Sequence, residues 1–96
     1  MSVDELLRDK RDEILRIAAS HGARNVRVFG SVARGQAGPD SDIDFLVDLE
    51  PGRSLLDLSG LWADLNDLMG RKVDIVTEQS IYWLLRRRIL KEARPL

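Results

Sequence analysis

The chain has 96 residues, of which 44% are hydrophobic and 32% are charged, and its formal net charge is −1. This composition is typical of one small globular domain, here expected to span residues 1–96, and it excludes collagen, coiled coils and disordered chains. The absence of cysteine excludes disulfides, thiolate metal sites and cysteine nucleophiles. Because His21 is the only histidine, sites that need two histidines are also excluded.

The charge is distributed unevenly along the chain. Residues 1–39 carry a net charge of +2, residues 40–78 of −7 and residues 79–96 of +4. A net charge near zero gives no general attraction to nucleic acid or anionic membranes, and no apolar run is long enough to span a bilayer. The N-terminus lacks the basic and apolar parts of a signal peptide. We therefore expect a cytoplasmic protein that binds neither membranes nor nucleic acid directly, with cations near its acidic middle segment.

The spacing of apolar residues, the capping residues and the glycines predict alternating helices and strands. The first predicted element is a helix capped by Ser2 and Glu5 and ended by His21-Gly22, followed by a strand at 25–29 and a loop at 30–40 with room for one helical turn. A strand at 42–49 and a turn at Pro51-Gly52 come next, and then a helix capped by Ser54 and Asp57 and ended by Gly70. The last two predicted elements are a strand at 72–77 and a helix from 80 to about 93. This order predicts a two-layer α/β (α+β) domain.

Several side chains on these elements have ordinary structural interpretations. The spacing predicts that Trp62 lies on the apolar stripe of the third helical segment, and that Tyr82, Leu85 and Ile89 of the last helix point inward. Gly60 inside a helix indicates a close packing contact. The basic cluster of the last helix is expected to be solvated or to face an acidic partner or nucleotide phosphates; it comprises Arg86, Arg87, Arg88, Lys91 and Arg94.

The first candidate binding segment follows the first predicted strand and reads Phe-Gly-Ser-Val-Ala-Arg-Gly from Phe29. Gly30 lets the backbone approach a ligand closely, and Ser31 supplies a hydroxyl. The N–H groups of a helical turn at this point would converge on an anion such as phosphate. The segment is not a Walker A loop because its lysine is missing. On its own, a Gly-Ser turn is weak evidence for a phosphate site, because such turns are common and most have a purely structural role.

Asp42 and Asp44 begin the second predicted strand. Residues two apart in a strand point to the same face, so their carboxylates would lie close together and repel unless a cation lies between them. Oxygen ligands without histidine or cysteine favour Mg²⁺ or Mn²⁺. The alternative is a polar strand end with no ligand.

Asp74 is the single acid in the otherwise apolar third predicted strand, Lys-Val-Asp-Ile-Val from Lys72. A carboxylate in such a strand needs a partner, because burial of an unpaired charge is costly. The partner is either a bound metal cation or a basic side chain, Arg71, Lys72 or Arg27, in a salt bridge.

The combination of these segments is more informative than each alone. A Gly-Ser turn, ten further residues, an Asp-x-Asp pair and a later strand aspartate resemble the nucleotidyltransferase superfamily that includes DNA polymerase beta. More narrowly, the chain resembles the minimal nucleotidyltransferases, small antitoxin-type proteins encoded beside HEPN-domain toxins. The resemblance covers almost the whole chain, including its Pro-Asp-Ser-Asp-Ile-Asp-Phe and Val-Asp-Ile-Val-Thr segments. It implies a polymerase-beta-like fold with a small mixed sheet.

The resemblance also implies roles for individual residues. Gly30 and Ser31 would hold the phosphates of ATP, and Arg34 would help to neutralise them. Asp42 and Asp44 would bind two Mg²⁺ ions, with Mn²⁺ as a possible substitute. Asp74 would bind the catalytic ion and orient or deprotonate the acceptor hydroxyl. The expected reaction is transfer of AMP to a tyrosine hydroxyl of a partner HEPN toxin in a heteromeric complex.

Two other functions stay open at this point. The chain could be an antitoxin that neutralises its toxin by binding alone, or it could modify a small molecule. The sequence also leaves open the preferred nucleotide, the modified residue, the number of nucleotides added, the stoichiometry and the identity of the toxin.

Overall fold

The computed structural model describes residues 2–38, 41–81 and 83–96. Its elements occur in the predicted order. They are α1 (Val3–Ser20), β1 (Ala23–Phe29), α2 (Gly30–Ala33), β2 (Ile43–Leu49), α3 (Leu55–Met69), β3 (Val73–Thr77), a 3₁₀ turn (Glu78–Ser80), α4 (Trp83–Glu92) and β4 (Arg94–Pro95). The predicted two-layer mixed α/β architecture is therefore confirmed.

The helix caps form as the sequence predicts. The hydroxyl of Ser2 accepts a hydrogen bond from the backbone N–H of Glu5 at the start of α1. Ser54 and Asp57 form a reciprocal capping box at the start of α3, and Gly70 ends that helix in the left-handed conformation at φ 65°. These caps satisfy N–H groups that the first helical turn leaves without partners, so short local motifs fix both helix starts.

The four strands form one mixed sheet in the order β3-β2-β1-β4. The pairs β1–β2 and β1–β4 are antiparallel, whereas β2–β3 is parallel. Strand β2 therefore has a neighbouring strand on both sides. The short strand β4 is absent from the sequence prediction, because a two-residue strand has no alternating pattern to detect.

The hydrophobic core lies between the sheet and the helices α1 and α3. Alternate residues of β2 point into it, and Ile43, Phe45 and Val47 are fully buried. On the helices, the buried residues recur at helical spacing, for example Leu61, Leu65 and Met69 of α3. The sheet face that carries Asp44 points away from this core, so the core residues and the candidate site residue of β2 lie on opposite faces of the strand.

Several predicted boundaries and orientations need correction. Strands β2 and β3 begin one residue later than predicted, at Ile43 and Val73, and β1 begins two residues earlier. The last helix begins at Trp83 because residues 78–80 form a separate 3₁₀ turn, and Tyr82 lies outside the described residues. Leu85 is 49% exposed and Trp62 48% exposed, so neither is buried as predicted. Both lie at the rim of a groove described below.

The predicted close contact at Gly60 is confirmed. A Cβ atom at this position would lie 2.8 Å from Cε1 of His21, so only glycine lets the imidazole pack against α3. The Nε2 atom of His21 is 2.7 Å from Oδ2 of Asp64. His21 also ends α1, as predicted, so its role in this structure is to join the two core helices.

None of the described helices is both long enough and apolar enough to cross a membrane.

Candidate active site

The Gly-Ser turn connects β1 to the short helix α2. Gly30 has a φ angle of 71°, in the left-handed region that disfavours other residues. A Cβ atom at Gly30 would lie 2.5 Å from Oδ2 of Asp44. Glycine is therefore required for two reasons, the backbone turn and the close approach of a carboxylate. Ser31 and Val32 follow in the first helical turn, whose leading N–H groups have no partner within the helix.

The register of the sheet brings Asp44 and Asp74 side by side. Asp44 pairs with Asp74 across the parallel β2–β3 ladder and with Phe29 across the antiparallel β1–β2 ladder. Paired residues of neighbouring strands point to the same face, so two carboxylates lie together directly beside the Gly30 turn. The three segments that the sequence singled out thus meet at one end of β2.

Asp42 lies immediately before β2 and near this pair, although its carboxylate faces another group. Its Oδ2 atom is 3.6 Å from Nζ of Lys72. Arg71 donates a hydrogen bond to the carbonyl oxygen of Ser41, and the backbone N–H of Ile43 donates to the carbonyl oxygen of Lys72. These bonds tie the segment before β2 to the segment before β3. Both side chains of the ion pair are substantially exposed, so the pair is of a kind that contributes little to stability.

The electrostatic environment of Asp44 identifies it as the centre of the carboxylate group. Partial burial raises the pKa of Asp44 above its ordinary value of 3.8, and the negative charges of Asp74 and Asp42 raise it further. Arg34 and Lys72 oppose this increase. A half-buried carboxylate beside two other negative charges is unfavourable as a free anion, and a bound cation would relieve this repulsion.

The donor set fits a hard divalent cation. Asp44 and Asp74 present carboxylate oxygens from paired strand positions, and Asp42 lies at the entry to the same strand. Among residues 2–38, 41–81 and 83–96, no three metal-ligating side chains are already gathered around one point. Carboxylate oxygens are the ligands that suit Mg²⁺ or Mn²⁺, and the Asp42 carboxylate lies 3.6 Å from the Lys72 ammonium in this structure.

Two of the three salt-bridge partners that the sequence offered for Asp74 pair with other carboxylates in the described part of the chain. Lys72 lies 3.6 Å from Asp42. Arg27 binds the carboxylates of Asp48 and Glu78, at 2.9 and 3.2 Å. Asp74 is therefore an exposed carboxylate whose nearest acidic neighbour in the sheet is Asp44.

An open groove of about 550 Å³ begins at these two carboxylates. Apolar side chains from the sheet, α3, the 3₁₀ turn and α4 line the rest of its wall; they include Phe29, Trp62, Ile75, Ile81, Leu85 and Ile89. The volume is within the range of sites that hold small ligands or side chains. The wall therefore offers apolar contact on one side of the carboxylate pair, with the Gly30 turn nearby.

Trp62 is the groove residue that sequence reasoning did not recognise. Its Nε1 atom donates a 2.7 Å hydrogen bond to the carbonyl oxygen of Val73, which fixes the indole beside Asp74. The sequence signal was its position one residue after the buried Leu61, about 100° from that residue around the helix and thus at the edge of the α3 stripe.

Arg34 lies at the end of α2 and is engaged by the last helix. Its Nη1 atom is 3.1 Å from both carboxylate oxygens of Glu92, and its Nε atom donates to Oε1 of Gln36. Arg88 binds the same Glu92 carboxylate at 3.3 Å. The positive charge of the guanidinium opposes the increase in the pKa of Asp44, and the guanidinium donates its hydrogen bonds to Glu92 of α4 and to Gln36.

The comparisons with known proteins agree with this geometry. Residues 11–96 match the family model of the nucleotidyltransferase domain. The chain belongs to the nucleotidyltransferase family. The members of this family transfer nucleotides, so the predicted enzyme class is confirmed.

Individual nucleotidyltransferases resemble the chain over most of its length. A Methanocaldococcus jannaschii protein described as a protein adenylyltransferase is 42% identical over 93 residues, covering 97% of this chain and 96% of its own. The protein adenylyltransferase MntA of Thermococcus cleftensis is 42% identical over 71 residues, covering 74% and 72%.

A solved structure described as a minimal nucleotidyltransferase has 52% identity and a TM-score of 0.86, covering 96% of this chain and 94% of its own. A toxin–antitoxin complex solved with AMP-PNP is only 20% identical, with a TM-score of 0.74 over 88% of this chain and 69% of its own, and shows the shared fold alone. The predicted resemblance to minimal nucleotidyltransferases is therefore confirmed.

Proposed function

We propose that this nucleotidyltransferase is a Mg²⁺-dependent protein adenylyltransferase and an antitoxin. It transfers AMP from ATP to a tyrosine hydroxyl of a HEPN-domain toxin encoded beside it, and so neutralises the toxin. One observation carries the proposal. The register of β2 and β3 holds Asp44 and Asp74 side by side, with Asp44 directly against the Gly30 turn.

The Gly30 turn is the candidate site for the triphosphate. Backbone N–H groups at the start of a helical turn bind phosphate oxygens, and the Ser31 hydroxyl adds a further donor. Because glycine leaves no Cβ atom between the turn and Asp44, a phosphate and a carboxylate can approach the same cation here. Arg34 would contribute positive charge from the end of α2.

Asp42 and Asp44 are the candidate ligands for Mg²⁺ or Mn²⁺, and Asp74 would complete the set. When bound, the metal would neutralise phosphate charge and lower the barrier to displacement at phosphorus. The raised pKa of Asp44 supports this role, because a cation would favour the ionised form that neighbouring carboxylates disfavour.

The bond changes of the reaction balance without any further reactant. The acceptor oxygen forms a bond to the α-phosphorus of ATP, and the bond from this phosphorus to the bridging oxygen breaks. Pyrophosphate leaves, and AMP stays on the acceptor. The acceptor proton passes to the carboxylate of Asp74, which is exposed beside the groove, and then to water.

The shape of the groove supports an aromatic acceptor. Its wall beside Asp74 is formed by Trp62, Ile81, Leu85 and Ile89. A tyrosine ring would make apolar contacts with this wall while its hydroxyl reaches the carboxylate, as amphipathic side chains with a polar tip do. A serine or threonine would leave most of the wall without contact.

The function can be tested in cells that express the HEPN toxin. The variant Asp42→Asn/Asp44→Asn removes two metal ligands without changing side-chain size, so it should bind the toxin yet fail to protect the cells. The matched control is Asp9→Asn/Asp67→Asn, which removes two exposed carboxylates from α1 and α3 and should protect fully. Full protection by the Asp42/Asp44 variant would mean that the chain neutralises by binding and not by catalysis.

A further inference from the structure

On the outer face of α4, large exposed apolar side chains alternate with cations that form no ion pair with described residues. We define this face as Trp83, Leu84, Arg87, Leu90 and Lys91. Their spacing of three, four and seven residues places them on one side of the helix, centred on Arg87. Trp83 is 72% exposed, Leu84 60% and Leu90 37%.

The two cations of this face are distinct from their neighbours. Arg86 lies 3.8 Å from Glu78, and Arg88 binds Glu92, so the charges on either side are balanced within the domain. Arg87 and Lys91 form no ion pair with any residue in the described part of the chain. The positive charge therefore remains on the outer face of α4, between the exposed apolar side chains.

The opposite side of the same helix belongs to the candidate active site. Leu85 and Ile89 line the groove that begins at Asp44 and Asp74, and Glu92 holds Arg34. A protein bound to the outer face of α4 would therefore lie one helix diameter, about 10 Å, from the groove. An extended loop or side chain of that protein could reach from there to Asp74.

From these observations we propose that the outer face of α4 docks the acceptor protein of the transfer reaction, through a surface on which carboxylates surround apolar residues. This proposal rests on the proposed function for the identity of the partner. Tryptophan and arginine are the residues that most often dominate protein interfaces, and an apolar ridge flanked by charge is typical of interaction surfaces. Carboxylates on the partner would neutralise Arg87 and Lys91.

Two other occupants fit the face less well. Nucleic acid requires many phosphate contacts, whereas this face has two cations and three large apolar side chains. A second copy would need an acidic apolar patch, and the exposed pair Leu55–Leu56 is followed by Asp57. That carboxylate already accepts hydrogen bonds from the backbone N–H of Ser54 and from Arg53.

The test compares two charge reversals of equal size. Arg87→Glu/Lys91→Glu reverses the outer face of α4, and Arg16→Glu/Arg24→Glu reverses two exposed arginines of α1 and β1 that form no ion pair with described residues. The probe is the purified HEPN-domain toxin, whose Kd for each chain is measured by biolayer interferometry. ATP binding and thermal melting of each variant verify that the fold and the nucleotide site are retained.

We expect the α4 variant to bind the toxin about tenfold or more weakly, with unchanged ATP affinity, and the control to bind like the natural chain. Trp83→Ala should weaken binding without any change of charge. Equal toxin affinity in all variants, or no binding by the natural chain, would overturn the docking proposal.

Two further outcomes would also overturn it. One is self-association of the natural chain in sedimentation that the α4 variant abolishes, and the other is binding of single-stranded RNA that the same variant abolishes. Failure of the proposed function would be recognised separately, as toxin binding that depends on the outer face of α4 without any transfer of AMP.

Discussion

The two faces of the central strand β2 differ, because one is apolar and the other carries Asp44 and Asp48 on either side of the buried Leu46. On one face, Ile43, Phe45 and Val47 are fully buried against α1 and α3. On the other, Asp44 lies beside Asp74, and partial burial together with the negative charges of Asp74 and Asp42 raises the pKa of Asp44. The first face stabilises the domain, whereas the second holds charges that repel one another. The free energy gained by burial on the apolar face therefore has to offset the repulsion between the carboxylates, which are the candidate ligands of the active site.

The charged face is itself divided into two parts. Towards the far end of β2, Asp48 binds Arg27, which also binds Glu78, so acids and base compensate one another. At the near end, Asp44 and Asp74 have no such cation between them among the described side chains. The difference indicates that Asp48 has a structural role, while the near end of β2 is the candidate site.

The largest effect is expected on the apolar face. Phe45→Ala should reduce the free energy of unfolding by about 3–5 kcal/mol, because it removes a fully buried ring and leaves a cavity. Native domains are stable by only about 5–15 kcal/mol, so this variant should be near its unfolding threshold. Urea denaturation measures the change, and a loss below about 1 kcal/mol would show that this face does not dominate stability.

A smaller loss is expected at the compensated end of the charged face. Arg27→Ala should cost about 2 kcal/mol, because the arginine side chain is only 12% exposed and its removal leaves Asp48 and Glu78 without their shared cation. The same urea experiment tests this value. An unchanged urea midpoint would mean that the ion pairs of Arg27 contribute no stability. The two ends of the charged face would then not differ in the way described above.

The smallest effect, of opposite sign, is expected at the candidate site. The folded chain holds the proton of Asp44 above pH 3.8, where the unfolded carboxyl has already lost it. Stability therefore falls as pH rises through the window from 3.8 to the raised pKa. Asp44→Asn cannot ionise, so it should melt a few degrees higher at about pH 7 without divalent cations.

The higher melting temperature of Asp44→Asn should disappear when the pH falls below 3.8, because residue 44 is then neutral in the natural chain as well as in the variant. Addition of Mg²⁺ at neutral pH should raise the melting temperature of the natural chain and have less effect on the variant. A lower melting temperature of the variant at neutral pH would contradict the interpretation of Asp44 as a strained carboxylate.

Much of this arrangement could be predicted from the sequence because its signals are local. The caps at Ser2 and Ser54 and the alternation in β2 each depend on residues close together in the chain, and all three form as predicted. The resemblance to nucleotidyltransferases, carried by the spacing between Gly30 and Asp44, implied that these segments would meet. Their contact, where Gly30 lies against the Asp44 carboxylate, required only that β1 and β2 pair as neighbours.

The parts that could not be predicted depend on tertiary contacts. The position of α4 relative to the sheet decides that Leu85 lines an open groove and that Glu92 holds Arg34. Trp62 lies at the edge of a helical stripe, where periodicity does not distinguish the core from a groove wall. The strand β4 and the 3₁₀ turn are too short for any sequence pattern to indicate them.

The central claim is that Asp42, Asp44 and Asp74 support transfer of AMP to a partner protein. The most direct measurement is the intact mass of the HEPN-domain toxin after incubation with this chain, ATP and Mg²⁺. We predict that the toxin gains the mass of one or more AMP units, and that Asp42→Asn/Asp44→Asn gives no gain. An unchanged mass despite a stable complex between the two proteins would contradict the claim and assign neutralisation to binding alone.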